Sequence, residues 1–289
     1  MISTFVPRGA VGLLAVSLAL SVGFATRTVG APRPATSAAP LAATPGQQGT
    51  PRATPVADAA PLRLPDSLVW FRTAVEYRGV VTQAYRQASA MLDRALADPS
   101  WTAALEQGQD FANKPPAVIL DIDETVLDNS EFEERSARAG GAQREERWGA
   151  WCRETKAPPV PGALEFTRAA RAKGVTVFYV TNRDASVEQV TRQNLATVGF
   201  PLDDRRDTVL TRGERPAWTP EKATRREFVA GDFRILLLVG DDFADFVPGA
   251  RTTLAARRAL SETHDAMWGV KWIVLPNPMY GSWKRAAGQ

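Results

Sequence analysis

From Asp66 onward the apolar positions fall into two rhythms. Val75, Val81, Tyr85, Ala88, Met91, Leu92, Ala95 and Leu96 recur at intervals dominated by threes and fours, the repeat of an amphipathic helix. Asp66-Ser67 ahead of them and Asp98-Pro99 behind supply start and stop signals, so the spacing predicts one long helix, followed by a second helical segment around Trp101 to Phe111. The other rhythm is the short unbroken apolar run. Ala117 to Leu120 ends at Asp121, Val175 to Val180 at Thr181, Thr208 to Leu210 at Thr211, Ile235 to Val239 at Gly240-Asp241, and Trp272 to Leu275 at Pro276. Helix-like segments lie between these runs: Ala163 to Lys173, Ser186 to Val198, Glu221 to Val229 and Thr252 to Thr263. Strands without polar alternation, separated by helices, predict an α/β fold of three layers, a parallel sheet covered on both faces.

In such sheets a ligand sits beyond the carboxyl ends of the strands. Asp121, Thr181 and Asp241 each stand at one of those ends and are expected to converge. One connection is too long for an ordinary strand-to-helix loop: roughly residues 126 to 160, rich in Glu, Arg and Trp, form an insertion expected to stand over the site as a helical cap.

The N-terminal residues follow different rules. Arg8 is the one cation of Met1 to Thr26, and the uncharged, mostly apolar stretch after it leads to Gly23, Phe24 and Ala25, so residues 1–25 read as a signal peptide. The alternative is an uncleaved anchor associated with a membrane, although ~18 residues diluted with Gly, Ser and Ala sit at the lower edge of a bilayer span. No Cys lies there to carry a lipid. Residues 26–65, dominated by Pro, Ala and Thr, are read as a disordered linker, because they hold too little apolar surface to offset their ordering entropy. Residues 66–289 are read as the folded domain. Export follows from the leader, to a secreted, periplasmic or envelope-associated place.

Composition narrows the chemistry. A formal charge of +3, from 35 Lys and Arg against 32 Asp and Glu, argues against a partner that is a nucleic-acid polymer. One His, His264, and one Cys, Cys152, exclude multi-His metal sites, zinc clusters and intrachain disulfides; both are expected to be structural. Hydrolytic chemistry then rests on carboxylates, hydroxyls and lysines.

Asp121-Ile122-Asp123-Glu124-Thr125 directly follows a buried strand. Two carboxylates at i and i+2 in an open turn face one ligand, one as nucleophile and one as acid or base, and with a divalent cation this suits phosphoryl transfer. The plain alternative is a solvated acidic or calcium-type loop, but the EF-hand glycine and terminal Glu do not follow at the required spacing.

With these residues in place the sequence resembles the haloacid dehalogenase (HAD) superfamily of phosphohydrolases. Its four motifs correspond to Asp121-Ile-Asp123-Glu-Thr125, Thr181-Asn182-Arg183, Lys222 at the head of a helix, and Gly240-Asp241-Asp242-Phe-Ala-Asp245. More narrowly, VILDIDETVLDNS, VGDDFADF and LPNPMYGSW resemble the branch holding the outer-membrane lipoprotein e 5'-nucleotidases and the class C bacterial acid phosphatases. The resemblance implies a HAD-like (Rossmannoid) sheet with an inserted cap, and roles for its residues. Asp121 would be the nucleophile and a Mg²⁺ ligand. Asp123 would be the acid and base, touching the metal through its backbone carbonyl. Thr181, Asn182 and Lys222 would bind phosphate, Asp241 would ligate Mg²⁺, and Asp245 would act through a metal-bound water. Asp242 stays open, and Arg183 is open between a phosphate contact, a cap and a salt bridge.

Crowded carboxylates require a cation and Lys222 to stay ionised, and oxygen-only ligation suits Mg²⁺ rather than zinc. Like-charge neighbours are expected to help Asp123 keep its proton, placing the activity peak on the acid side of neutral. Trp148 and Trp151 on the cap and Tyr280 after the last strand are expected to offer flat faces to a nucleobase. The expectation is an exported Mg²⁺-dependent acid phosphatase acting on small phosphomonoesters, nucleoside 5'-monophosphates foremost, through an aspartyl-phosphate. Phosphate transfer to an alcohol from the same site, and a non-catalytic storage or surface protein on the same scaffold, are the alternatives.

Overall fold

Two aromatic rings decide how the N-terminal helices run. The computed structural model describes residues 63–141 and 143–288, so the expected leader of residues 1–25, and the linker of 26–65 apart from its last three residues, lie outside the described residues. The single helix expected from Asp66 is two, α1 (Asp66–Thr73) and α2 (Val75–Ala97), divided at Ala74, whose ψ of 126° is extended. In an unbroken helix Phe71 and Tyr77 would point about 120° apart around the axis. With the break both are buried, and their ring centroids lie 4.1 Å apart.

The apolar runs form the expected sheet. Strands β1 (Pro116–Leu120), β2 (Thr176–Asp184), β3 (Val209–Arg212), β4 (Arg234–Gly240) and β5 (Trp272–Val274) are parallel, in the order β3-β2-β1-β4-β5. Val118 and Leu120 of β1 pack with α2 on one face, while Ala117 and Ile119 pack with Val229 and Ala230 on the other. This period-2 sorting with both faces covered is why the strands read as unbroken apolar runs. The β1–β4 register shifts between Ala117, opposite Ile235, and Val118, opposite Leu237, so Leu236 and Leu237 both join the α2 side.

The segment around Trp101 to Phe111, expected to be helical, is instead an irregular strap. Ala103 N–H donates to Ile235 O at 2.8 Å, Gln107 Oε1 accepts from Ile235 N–H at 3.0 Å, and Trp101 Nε1 donates to Leu236 O at 2.8 Å. These bonds serve the part of β4 that short β5, paired only to Leu238–Gly240, does not reach. The strap satisfies its polar groups on the sheet edge rather than within a helix.

The insertion after β1 carries two helices, α3 (Ser130–Arg138) and α4 (Arg144–Glu154). Its neck is closed by Asp128 N–H donating to Pro158 O and Val160 N–H to Val126 O, both at 2.9 Å. The remaining helices are α5 (Ala163–Ala172), α6 (Glu188–Val198), α7 (Ala223–Asp232), α8 (Leu254–Glu262) and α9 (Ser282–Ala286). Among the described residues no helix is long and apolar enough to cross a membrane.

Candidate active site

The sheet delivers its carboxylates at the strand ends. Asp121 follows β1, its N–H bonded to Val239 O of the neighbouring strand at 2.9 Å, and Asp241 follows β4. Lys222, the residue ahead of α7, is 4% exposed. Its ammonium forms ion pairs with Asp121 Oδ1 and, at 2.6 Å, with Asp245 Oδ1. Asp245 can fold back over the strand end because residue 240 is glycine: a Cβ there would lie 2.6 Å from Asp245 Cβ. Asp242 N–H then donates to Asp245 Oδ2 at 3.0 Å. Asp241 accepts from Thr125 Oγ1 at 3.1 Å and from Asn277 Nδ2 at 2.8 Å.

One carboxylate oxygen from each of Asp121, Asp241 and Asp245 lies within 4.8 Å of the others. Three acidic oxygens from the loops after β1 and β4 can hold a divalent cation, and an all-oxygen set belongs to hard ions. For the protein alone, burial pushes Asp121 up to about 7; Lys222 opposes this while Asp245 and Asp123 add to it. Asp241 is raised well above its ordinary value by burial, with Asp121 and Asp245 adding to it. Burial works against the charge on Lys222, but Asp121 and Asp245 outweigh it and hold the ammonium above its ordinary value. The site is therefore short of positive charge, which a divalent cation supplies.

Asp242, whose role the sequence left open, is a clamp. Its oxygens accept from Ala244 N–H at 2.8 Å, Ser282 Oγ at 2.5 Å and Ser282 N–H, tying the β4 turn to the C-terminal segment. Asp123 opens on the same cleft as Asp121. The neighbours in direct contact with it are donors rather than like charges. Arg183 Nε and Nη2 reach its Oδ1 at 2.9 and 2.8 Å, and Asn129 Nδ2 reaches the same atom at 2.9 Å. Of the three roles open to Arg183, the structure shows the salt bridge.

Strand β2 does not stop at Thr181 but runs on to Asp184. Thr181 is fully buried beneath the cleft wall, and its hydroxyl accepts from Arg183 N–H at 3.0 Å, which leaves its own hydrogen to donate. Buried Arg225 donates to Thr181 O and to Asn182 Oδ1, the latter at 2.8 Å. With its oxygen so engaged, Asn182 has its Nδ2 hydrogens left for a ligand in the cleft it lines.

The cleft measures about 990 Å³, and Trp148 and Tyr280 both line it. Trp151, expected to share that surface, does not. It is 3% exposed, and its Nε1 donates to Asn129 Oδ1 at 2.8 Å. Three residues along α4 turn the second indole about 60° away from the first, into the cap's neck. Cys152 is buried, with its thiol pushed up to about 11 by that burial, and His264 packs on Trp272. Neither lines the cleft. The sequence reading missed Asn129, Asn277 and Arg225 as residues that orient the others. The first two fall within the quoted strings VLDNS and LPNPMY, but nothing local marks an isolated Asn as a partner of an Asp many residues away.

The sequence model of one family, described as HAD superfamily, subfamily IIIB (acid phosphatase), matches residues 28–283. Among solved structures, the class C acid phosphatase from Bacillus anthracis is 32% identical, with a TM-score of 0.66 over 76% of this chain and 86% of that one. A structure of that enzyme with tungstate bound matches at 31% identity, with the same TM-score and coverage. A parallel sheet with this strand order, acidic strand ends gathered around a buried lysine and a family match over most of the length agree with one another: the chain belongs to the subfamily IIIB acid phosphatases of the HAD superfamily and is a phosphomonoesterase acting on small phosphate esters.

Proposed function

We propose that this chain is a Mg²⁺-dependent acid phosphatase that works through an aspartyl-phosphate on Asp121, favours nucleoside 5'-monophosphates and acts outside the cytoplasm. The observation that carries the reading is the placement of Asp121. It is buried at the end of the central strand, paired with Lys222, and opens on the same cleft as Asp123. Asp121, the backbone carbonyl of Asp123 and Asp241 would hold the cation, with Asp245, tied to Lys222 and to Asp242 N–H, acting through water. Bound there, Mg²⁺ would neutralise charge on the phosphoryl oxygens and keep Asp121 ionised.

The protein's own groups do the rest. The ionised oxygen of Asp121 attacks phosphorus in line, the bond to the ester oxygen breaks, and Asp123 passes its proton to the departing alkoxide. Lys222, the Thr181 hydroxyl and Asn182 Nδ2 bind the phosphoryl oxygens while charge moves. Water then attacks phosphorus, Asp123 takes its proton back, and the bond to Asp121 breaks to release phosphate. Trp148 and Tyr280 supply the faces for a base, which supports the nucleotide preference. The apolar pattern of residues 1–25 supports export.

A substrate panel tests the reading. The wild type should release phosphate from p-nitrophenyl phosphate and AMP with Mg²⁺, best on the acid side of neutral. Both Asp121→Asn and chelation should abolish turnover, and acid-quenched wild type should retain label from a phosphate-labelled ester. Turnover by Asp121→Asn, or a rate still climbing at pH 9, would overturn it.

A further inference from the structure

Asp123 has two carboxyl oxygens, and its donors are concentrated on one of them. Arg183 Nε at 2.9 Å, Arg183 Nη2 at 2.8 Å and Asn129 Nδ2 at 2.9 Å all reach Oδ1. A carboxyl group that must carry and deliver one proton needs its two oxygens to be inequivalent, and a guanidinium locked on Oδ1 leaves Oδ2 as the atom that carries it.

Arg183 has little freedom to do anything else. Its side chain is 1% exposed. Nη1 is spent on Thr191 Oγ1, and Nη2 also meets Asn129 Oδ1, both at 3.2 Å. Asn129 is in turn held by Trp151 Nε1 at 2.8 Å. The guanidinium carbon sits 5.3 Å from the Trp148 ring centroid, within cation–π range. Trp148 lines the cleft, so one face of the guanidinium plane is backed by a cap residue. An arginine so enclosed is aimed at the acid and not at the phosphoryl oxygens.

We infer that Arg183 is a positioning residue: held by Asn129, Thr191 and the Trp148 ring, it pins Oδ1 of Asp123 so that Oδ2 faces the leaving oxygen of the ester. This rests on Asp123 being the leaving-group acid, as proposed above. In the step it serves, the proton on Oδ2 moves to the ester oxygen as the phosphorus–oxygen bond breaks, and Arg183 exchanges no proton.

Leaving-group dependence separates this role from folding or phosphate binding. From AMP the nucleoside leaves as a strongly basic 5'-alkoxide and needs the acid, whereas p-nitrophenolate leaves unaided. General acid catalysis contributes about a hundredfold to ten-thousandfold, so Arg183→Gln is expected to lower kcat for AMP by at least about tenfold more than kcat for p-nitrophenyl phosphate, a split that weaker stacking on Trp148, which acts through KM, would not give. The inhibition constant of inorganic phosphate should stay within about twofold, and Arg183→Lys, which restores one donor, should give an intermediate ratio. In an Asp123→Asn background, Arg183→Gln should change the ratio no further, because it acts through the missing acid.

Equal losses on both esters, weaker phosphate inhibition, or an additive double variant would each overturn the inference. If Asp123→Asn is selective against AMP and Arg183→Gln is not, this inference fails while the acid assignment stands. If neither is selective, the acid assignment fails and takes this inference with it. Should Arg183→Gln not fold, Arg183→Lys reads out the same ratio.

Discussion

Asp121→Asn removes the group that the proposed reaction cannot proceed without, yet it should make the metal-free protein harder to unfold. Asparagine is an isostere of the protonated acid, so the variant is spared the cost of ionising a carboxyl at this buried position. That carboxyl is pushed from 3.8 to about 7, chiefly by burial and with the opposition of Lys222 already included. The folded protein then holds the proton more tightly than the unfolded chain does. The contribution of Asp121 to stability is complete below about pH 4 and is lost as pH rises through 7. At ~1.36 kcal/mol per unit, between 1 and 2 kcal/mol is gone by pH 5 and about 4 kcal/mol by pH 8. The advantage of the variant should therefore grow by about 2 to 3 kcal/mol between those two values, or roughly 5 to 10 °C in Tm for a domain of this size.

Thermal melts of both proteins in chelator at pH 5 and pH 8 read this directly. Mg²⁺ added at pH 8 should then raise the Tm of the wild type by more than that of the variant, since the ion offsets the repulsion that asparagine has already removed. A Tm difference that stays flat or shrinks from pH 5 to pH 8 would refute the electrostatic account of the site. So would equal stabilisation of both proteins by the metal.

Four further outcomes follow from the same contacts. Lys222→Met leaves Asp121 and Asp245 without their shared cation and should cost about 10²- to 10³-fold in kcat, measured on p-nitrophenyl phosphate. Trp148→Leu should raise KM for AMP by about tenfold without matching change for p-nitrophenyl phosphate, because stacking is worth ~1 to 3 kcal/mol per base; Trp151→Phe should lower stability by about 1 kcal/mol with KM unchanged. Asp242→Ala should destabilise by about 1.5 to 3 kcal/mol in denaturant titrations. Burial opposes the charge on Asp242, but bonds from Ser282 and Ala244 outweigh it and hold the carboxyl below its ordinary 3.8. The penalty should therefore be full above about pH 4 and close as pH falls through the depressed value.

The carboxylates were legible in the sequence because a buried parallel strand advertises its own end. Leu120 is followed by Asp121, and Gly240 by Asp241, so the site's acidic floor could be read from where the apolar runs stop. The division at Ala74 could not, because it is set by Phe71 and Tyr77 meeting in space and not by a breaker residue. The strap after α2 was misread for a related reason: its hydrogen-bond partners are Ile235 and Leu236, more than a hundred residues away. Trp148 and Trp151 looked equivalent as neighbours on one helix, and only the position of Asn129 tells them apart.

Helix α7 carries the least legible part of the site. Lys222, Arg225 and Arg226 stand at i, i+3 and i+4, a spacing that puts them on one face of its first turn, and all three are buried. Read by the rule that the inward face is apolar, such a run looks like solvent-facing charge. It is the reverse. Lys222 neutralises Asp121 and Asp245, Arg225 holds the end of β2 through Thr181 and Asn182, and Arg226 pairs with Glu106 and donates to Asp245 O at 2.8 Å. One helical turn thus fixes the loops after β1 and β4 and the end of β2 against a single rigid element. Lys222 and Arg226 are inside because the acids they serve are inside, and Arg225 because it holds backbone and amide oxygens at the end of β2: removing any one would leave a buried partner unpaired, which costs far more than the loss of an exposed ion pair.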